Sequence, residues 1–96
     1  MKVITVTVTT AGTAVAVASS RTLASWVKFQ GKQDNDGSCF IGGSTVTNSS
    51  GAAPGHELFP AGIYEWPTFG AYYDLGDAYI DADNNGDIVT VTYDTR

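Results

Sequence analysis

The sequence predicts an all-β protein, a small antiparallel β-sandwich or jelly-roll-like barrel of about eight short strands. Residues 3–9 alternate with a period of two and are almost all β-branched, which is the pattern of a half-buried strand. Clusters of Gly, Asn, Asp and Pro separate the apolar runs at the spacing typical of a sandwich or barrel. No segment places apolar residues at helical spacing, and parallel strands need crossovers, usually helical, so we expect antiparallel sheets.

The start of the chain holds two alternating runs, residues 3–9 and residues 14–19, with a turn between them. We expect these runs to form a hairpin or to lie as neighbouring strands. The length of 96 residues predicts that the chain is a single domain. Residues 1–20 form its N-terminal strand arm or hairpin, and residues 21–96 form the sandwich body.

The next strands are indicated by residues 24–30, where Val27 and Phe29 share one face. A polar, glycine-containing cluster then reverses the chain, as Asn, Asp and Gly readily do. Residues 39–41 return as a short strand, and residues 44–47 are expected to continue its pairing past a bulge.

The size of the chain and its cysteine content favour oligomerisation. A domain of 96 residues buries only about two thirds of its unfolded surface, so its core is thin. Small domains compensate with disulfides, metals or partner subunits. Because Cys39 is the only cysteine, no internal disulfide forms and a homo-oligomer is expected.

The charge balance excludes two classes of partner. Ten acidic and five basic residues give a net charge of −5, and the basic residues are scattered. Nucleic-acid binding needs a basic stripe that neutralises phosphates, so no nucleic-acid partner is expected. The sequence also lacks the run of about 18 apolar residues that a membrane span needs.

The titratable residues do not predict an enzyme. Cys39 and His56 are the only thiol and imidazole, and Cys39 alternates within a strand like a small buried hydrophobe. Glu57 and Glu65 are the only glutamates, and their spacing singles out no acid and base pair for glycoside hydrolysis. We predict no catalytic residues, no cofactor and no metal.

Residues 81–87 have two interpretations. Oxygen-bearing side chains alternate there, and Gly86 takes the sixth position, as in a calcium loop of the EF-hand kind. The twelfth position, however, is Thr92 instead of glutamate. Asn85-Gly86 also lies between two alternating runs, which is a strong signal for a β-hairpin, and the hairpin is the prediction that we prefer.

Two groups of residues are candidates for an interface. An N-terminal strand of Val3, Thr5 and Thr7 has backbone groups with which to extend the sheet of a neighbour. The aromatic residues Tyr64, Trp66, Phe69 and Tyr72 suit a core and a subunit interface. The alternative for the aromatic group is a platform on which sugar rings stack.

A family resemblance rests on the order of several short segments. These are Trp26-Val27, residues 41–47, residues 49–51, Pro54-Gly55, residues 73–75, residues 78–82, Gly86-Asp87 and residues 89–93. In this order they are similar to small virion structural proteins of tailed bacteriophages, in particular capsid decoration (cement) proteins and related head or tail accessory proteins. Residues 57–72 depart from that pattern, being longer and more aromatic.

The resemblance implies a function without catalysis. It implies a β-sandwich or jelly-roll-like fold, self-association, often as a trimer, and binding to the major capsid protein. The protein would be made in the host cytoplasm and end on the surface of the phage particle. The alternative is a carbohydrate- or receptor-binding β-sandwich module of a phage tail or fibre.

Overall fold

The computed structural model describes residues 1–66 and 72–95, which form two antiparallel sheets packed face to face. The strands are β1 (Lys2–Val8), β2 (Val15–Ala16), β3 (Leu23–Gly31), β4 (Cys39–Gly42), β5 (His56–Leu58), β6 (Ile63–Trp66), β7 (Tyr73–Asp74), β8 (Tyr79–Ala82) and β9 (Asp87–Thr95). A single 3₁₀ turn, Leu75–Asp77, is the only helical element in the described residues. The predicted small all-β sandwich is confirmed, with nine described strands in place of about eight.

The two sheets differ in size. The large sheet has the order β1-β9-β3-β6, and β7 also pairs with β3. The small sheet has the order β2-β8-β4-β5. Consecutive strands mostly lie in different sheets, so the chain crosses the sandwich at nearly every connection. Only β4–β5 and β6–β7 stay within one sheet.

This crossing overturns both predicted hairpins. β1 does not pair with β2; it pairs with β9 from Lys2 opposite Tyr93 to Val8 opposite Asp87. β8 and β9, which flank Asn85-Gly86, lie in opposite sheets. A turn sequence sets only the local reversal, whereas the partner of each strand is set by long-range packing of its apolar face.

The predicted extension of β4 through residues 44–47 is also wrong. The chain turns at residues 43–45, and Thr47 makes an isolated bridge to Pro54. Val46 is buried, so this segment packs against the body of the protein without joining a sheet.

The core lies between the sheets and uses the inner face of every long strand. Its members are all at most 8% exposed: Val6, Val8, Val17, Ala24, Val27, Phe29, Cys39, Ile41, Leu58, Leu75, Ala78, Ile80, Ala82, Val89, Val91 and Tyr93. Each large side chain buried in this way contributes roughly 1.5–3 kcal/mol. The alternation predicted for residues 3–9 and 24–30 therefore points Val6, Val8, Val27 and Phe29 inward, as expected.

Candidate assembly surface

The outer face of the large sheet is exposed along β1 and β6 and part-exposed along β9 and β3. On β1 it carries Val3, Thr5 and Thr7; the β9 residues opposite them are Thr92, Thr90 and Ile88; β3 adds Trp26, Lys28 and Gln30, and β6 adds Ile63 and Glu65. Val3 is 62% exposed and Ile63 is 57% exposed. The face is thus a plate of threonines and apolar side chains, with charged side chains at Lys28, Glu65 and Asp94.

The outer face of the small sheet is different, because loops of the same chain cover it. Phe40 and Asp81 face each other on that side, yet they are only 3% and 0% exposed. Gly12 N donates to Asp81 Oδ1 at 2.9 Å, and Asn48 Nδ2 donates to Ala82 O at 3.0 Å. Loops of the chain therefore cover the small sheet, whereas no described loop covers the outer face of the large one.

The direction of the backbone groups in β9 follows from its ladder with β3. Gly31 lies opposite Val89, and Lys32 N donates to Ile88 O at 3.0 Å. In an antiparallel ladder this pattern makes Gly31 and Val89 a non-hydrogen-bonded pair. Ile88 and Thr90 thus turn their backbone groups to β3, and Val89 turns its own toward β1.

The same alternation fixes the open edge of β1. Val6 lies opposite Val89 and Ile4 opposite Val91, so Val6 and Ile4 direct their backbone N–H and C=O to β9. The Val8 carbonyl, which accepts from Gly86 N at 2.7 Å, points the same way. The backbone groups that face outward from the sheet are those of Val3, Thr5 and Thr7, the three predicted interface residues of the N-terminal strand.

The β1 edge lacks the usual protection of an edge strand. Natural edges are kept short, or carry Pro, bulges or several charges. β1 has seven residues, pairs with β9 without a register shift and contains no Pro. By contrast, β2 has two residues and β5 has three, so both edges of the small sheet are short. The long regular edge of the described residues is β1.

The aromatic candidates lie mainly at the rim of the core. The Phe29 and Trp66 ring centroids are 4.7 Å apart, edge to face, and those of Trp66 and Tyr73 are 4.9 Å apart. Tyr64 stacks on His56, with centroids 3.6 Å apart, which joins the two sheets at the β5–β6 side. These half-buried rings pack against the core. Phe69 lies outside the described residues.

Trp66 and Tyr73 also line a cleft of about 430 Å³, together with Gly42, Gly43, Tyr72, Asp74, Asp77 and Ala78. Tyr72 is 43% exposed. The Asp74 carboxylate accepts hydrogen bonds from Thr22 N and Gly76 N, both at 2.9 Å, and these bonds lower the pKa of Asp74. The cleft is thus lined by three aromatic residues and two carboxylates, and small-ligand sites commonly combine apolar walls with a few polar groups.

Residues 81–87 fasten loops. Asp83 Oδ1 accepts from Ser49 N, and Asn85 Oδ1 accepts from Ala11 N. Asp87 accepts from two successive amides of the β3–β4 connection. Within residues 1–66 and 72–95, no three His, Cys, Asp or Glu side chains come together as a metal site. The pattern of residues 81–87 does not by itself predict these loop contacts, although Asp and Asn commonly accept from backbone amides in turns.

Cys39 and His56 do not form a nucleophile and base. Cys39 is fully buried in the core, where burial, reinforced by nearby Asp87, raises the pKa of its thiol to about 12. A thiol with such a pKa stays protonated at neutral pH and is a poor nucleophile. His56 is exposed on edge strand β5 and stacks on Tyr64.

Comparisons of the chain with protein-family models, with curated proteins and with solved structures found no match. Among the residues that the structure describes, no helix has the length and hydropathy needed to cross a membrane.

Proposed function

We propose that this chain is a non-enzymatic structural protein that self-associates and attaches to a large protein shell. Its specific form is capsid decoration in a tailed bacteriophage, with the major capsid protein as partner and the particle surface as its location. The observation that carries the proposal is the asymmetry of the sandwich. One sheet is covered by the chain's own loops, whereas among residues 1–66 and 72–95 nothing covers the outer face of the other sheet or pairs with its long β1 edge.

The chemistry of the open face suits a protein partner. Threonine rows on β1 and β9 offer methyl groups for contact and hydroxyls for hydrogen bonds, and β-branched side chains are stiff, so little rotamer entropy is lost on binding. Weak individual contacts of this kind are enough for stable attachment to a symmetric shell, because binding at several repeated sites raises the overall affinity. The net charge of −5 favours solubility of the free subunit.

Co-sedimentation with empty capsid shells of the virus that encodes the chain tests this proposal. Thr92 lies in the middle of the open face, and Thr92→Arg places a long charged side chain there. Thr45→Arg is the matched control, because Thr45 is exposed in the loop after β4. We expect saturable binding by the wild type and by T45R, and at least a tenfold loss for T92R, since an unpaired charge in an interface is costly.

Two results would contradict the proposal. The first is a wild-type protein that does not sediment with the shells at any concentration. The second is equal binding by both arginine variants, which would remove the open face from the contact. Deleting residues 1–10 is a poor substitute for these point variants, because it removes Val6 and Val8 from the core.

The second candidate function is carbohydrate or receptor binding by a tail or fibre module. The observation in its favour is the cleft beside Trp66, Tyr72 and Asp77. This function predicts retention of the wild type on a glycan array and loss of that retention in Tyr72→Ala. A wild type that binds shells and gives a flat array favours the decoration role, and the reverse pattern favours the module.

A further inference from the structure

We propose that two copies of this chain pair antiparallel through β1, about a two-fold axis that passes between the Thr5 residues of the two copies, so that their large sheets become one continuous sheet. The inference rests on the self-association within the proposed function and names its contact. It does not depend on attachment to a shell.

The register follows from the β1 backbone groups that have no partner in the described part of the chain. Val3, Thr5 and Thr7 point their N–H and C=O outward. In an antiparallel pair of β1 strands, one alignment engages all of these groups and overlaps the whole strand. It places Thr5 opposite Thr5, and Val3 opposite Thr7 of the second copy. About six hydrogen bonds then join the two chains, two for each hydrogen-bonded pair.

The side chains agree with the same register on both faces. On the inner face, Ile4 lies opposite Val6 of the second copy. Ile4 is only half-buried in the single chain although it packs against the core, so pairing completes its burial. On the outer face, Thr5 meets Thr5 and Val3 meets Thr7. Pairs of β-branched residues at such positions stabilise antiparallel sheets.

Charge is also compatible with a second copy at this edge. Each chain carries a net charge of −5, but Lys2 is the only charged side chain in residues 1–20. Repulsion between the copies is therefore not concentrated at the contact. The register brings Lys2 of one copy beside Val8 of the other, so no like charges face each other across the contact.

The symmetry of this contact decides the oligomer number. A two-fold contact uses the same strand of both copies and closes as a dimer. The proposed dimer differs from the trimer that the family resemblance implies, and the mass in solution distinguishes the two. The open faces of both copies lie side by side in it, which doubles the area presented to one partner.

The experiment uses charge pairs at residue 5, because Thr5 faces itself only in this arrangement. Sedimentation equilibrium of the full chain should show a reversible dimer for the wild type. Thr5→Lys and Thr5→Glu should each raise the dimer dissociation constant roughly tenfold or more, since like charges then lie directly opposite. An equimolar mixture of the two variants should restore a dimer, now mixed, with an affinity at or above that of the wild type.

A second pair of variants tests the backbone contact. Thr5→Ala removes the side chain but keeps the outward N–H, so it should weaken the dimer by only a few-fold. Thr5→Pro removes that N–H, which makes no bond to β9, and should abolish the dimer while circular dichroism and a cooperative thermal transition show an intact fold. If T5P does not fold, the charge pair still decides the question.

Several results would overturn the inference. A wild-type protein that is monomeric at millimolar concentration, or that forms a trimer, contradicts it. A mixture of T5K and T5E that stays monomeric contradicts the Thr5 register. A monomer that binds capsid shells overturns only the dimer, whereas a dimer with the expected charge behaviour that binds no shell overturns only the attachment role.

Discussion

Replacing Asp87 with Ala removes the carboxylate that fastens the β3–β4 connection to the start of β9. Asp87 is 4% exposed; its Oδ1 accepts from Asp36 N at 2.9 Å and its Oδ2 accepts from Gly37 N at 3.1 Å. A hydrogen bond to a charged group contributes about 1.5–3 kcal/mol. Because the two amides lie near the surface and regain water, we take the lower value for each. Asp87→Ala should therefore lower the free energy of unfolding by about 3 kcal/mol.

Urea unfolding followed by tryptophan fluorescence measures this loss, with two variants for comparison. Asp87→Asn keeps one acceptor and should lose about half as much. Asp36→Ala alters an exposed side chain but keeps the bonded N–H, so it should change stability by less than about 0.5 kcal/mol. Hydrogen exchange adds a direct readout, because the amides of Asp36 and Gly37 should lose protection in D87A. A loss below about 1 kcal/mol, or unprotected amides in the wild type, refutes the fastening role.

Three further predictions concern single residues. Native Cys39 should resist iodoacetamide at pH 8 and react only after unfolding, because its thiol is buried with a pKa of about 12; rapid labelling seen by mass spectrometry would contradict that burial. The pKa of Asp74 is lowered in the folded protein, so its carboxylate stabilises the fold above the unfolded pKa of 3.8, and this effect disappears as pH falls through the folded pKa. Asp74→Asn should therefore have a lower urea midpoint than the wild type at pH 7, and the two midpoints should converge at strongly acid pH. Ala61 has a φ of 64°, a conformation that favours glycine, so Ala61→Gly should raise the free energy of unfolding by about 0.5 kcal/mol in thermal melts. Gly12→Ala, at φ 91°, should lower the free energy of unfolding. A less stable A61G would show that Ala61 is not strained.

The fold class could be predicted because a strand with one buried face has apolar residues at every second position of its sequence. Val6 and Val8 on β1, and Val27 and Phe29 on β3, alternate with polar or exposed residues in the sequence and are all buried in the core. The periodicity needs no knowledge of the partner strand. It indicates which face points inward whatever lies beside the strand.

The pairing of strands could not be predicted from local patterns. Asn85-Gly86 supports a tight reversal, and Gly86 does adopt a positive φ of 85°. The same turn serves a hairpin within one sheet and a crossing between two sheets. Which of the two forms depends on the partner of β9, and β9 pairs with β1, nearly the whole length of the chain away.

The candidate surface was predictable in part for the same reason. The sequence singles out Val3, Thr5 and Thr7 as a strand with pairing capacity. That β1 is an edge strand, and that these three residues turn their backbone outward, follows only from its register with β9. Thr90 and Thr92 join the open face through that register too, and no local signal connects them with the N-terminal strand.

The distance along the chain between β1 and β9 also bears on how a dimer forms. Contacts between residues far apart in the sequence form slowly, because the entropy cost of closing the long loop comes before the contact can stabilise the chain. β1 is synthesised before β9, and until its own β9 is available it can pair with the β9 of another copy, which forms a strand-swapped dimer. In a swapped dimer Thr5 faces Thr90 of the other copy, as it faces its own Thr90 in the single chain. Residue 5 then never meets itself, so mixing T5K with T5E leaves affinity unchanged, whereas the edge-paired dimer gains from the mixture.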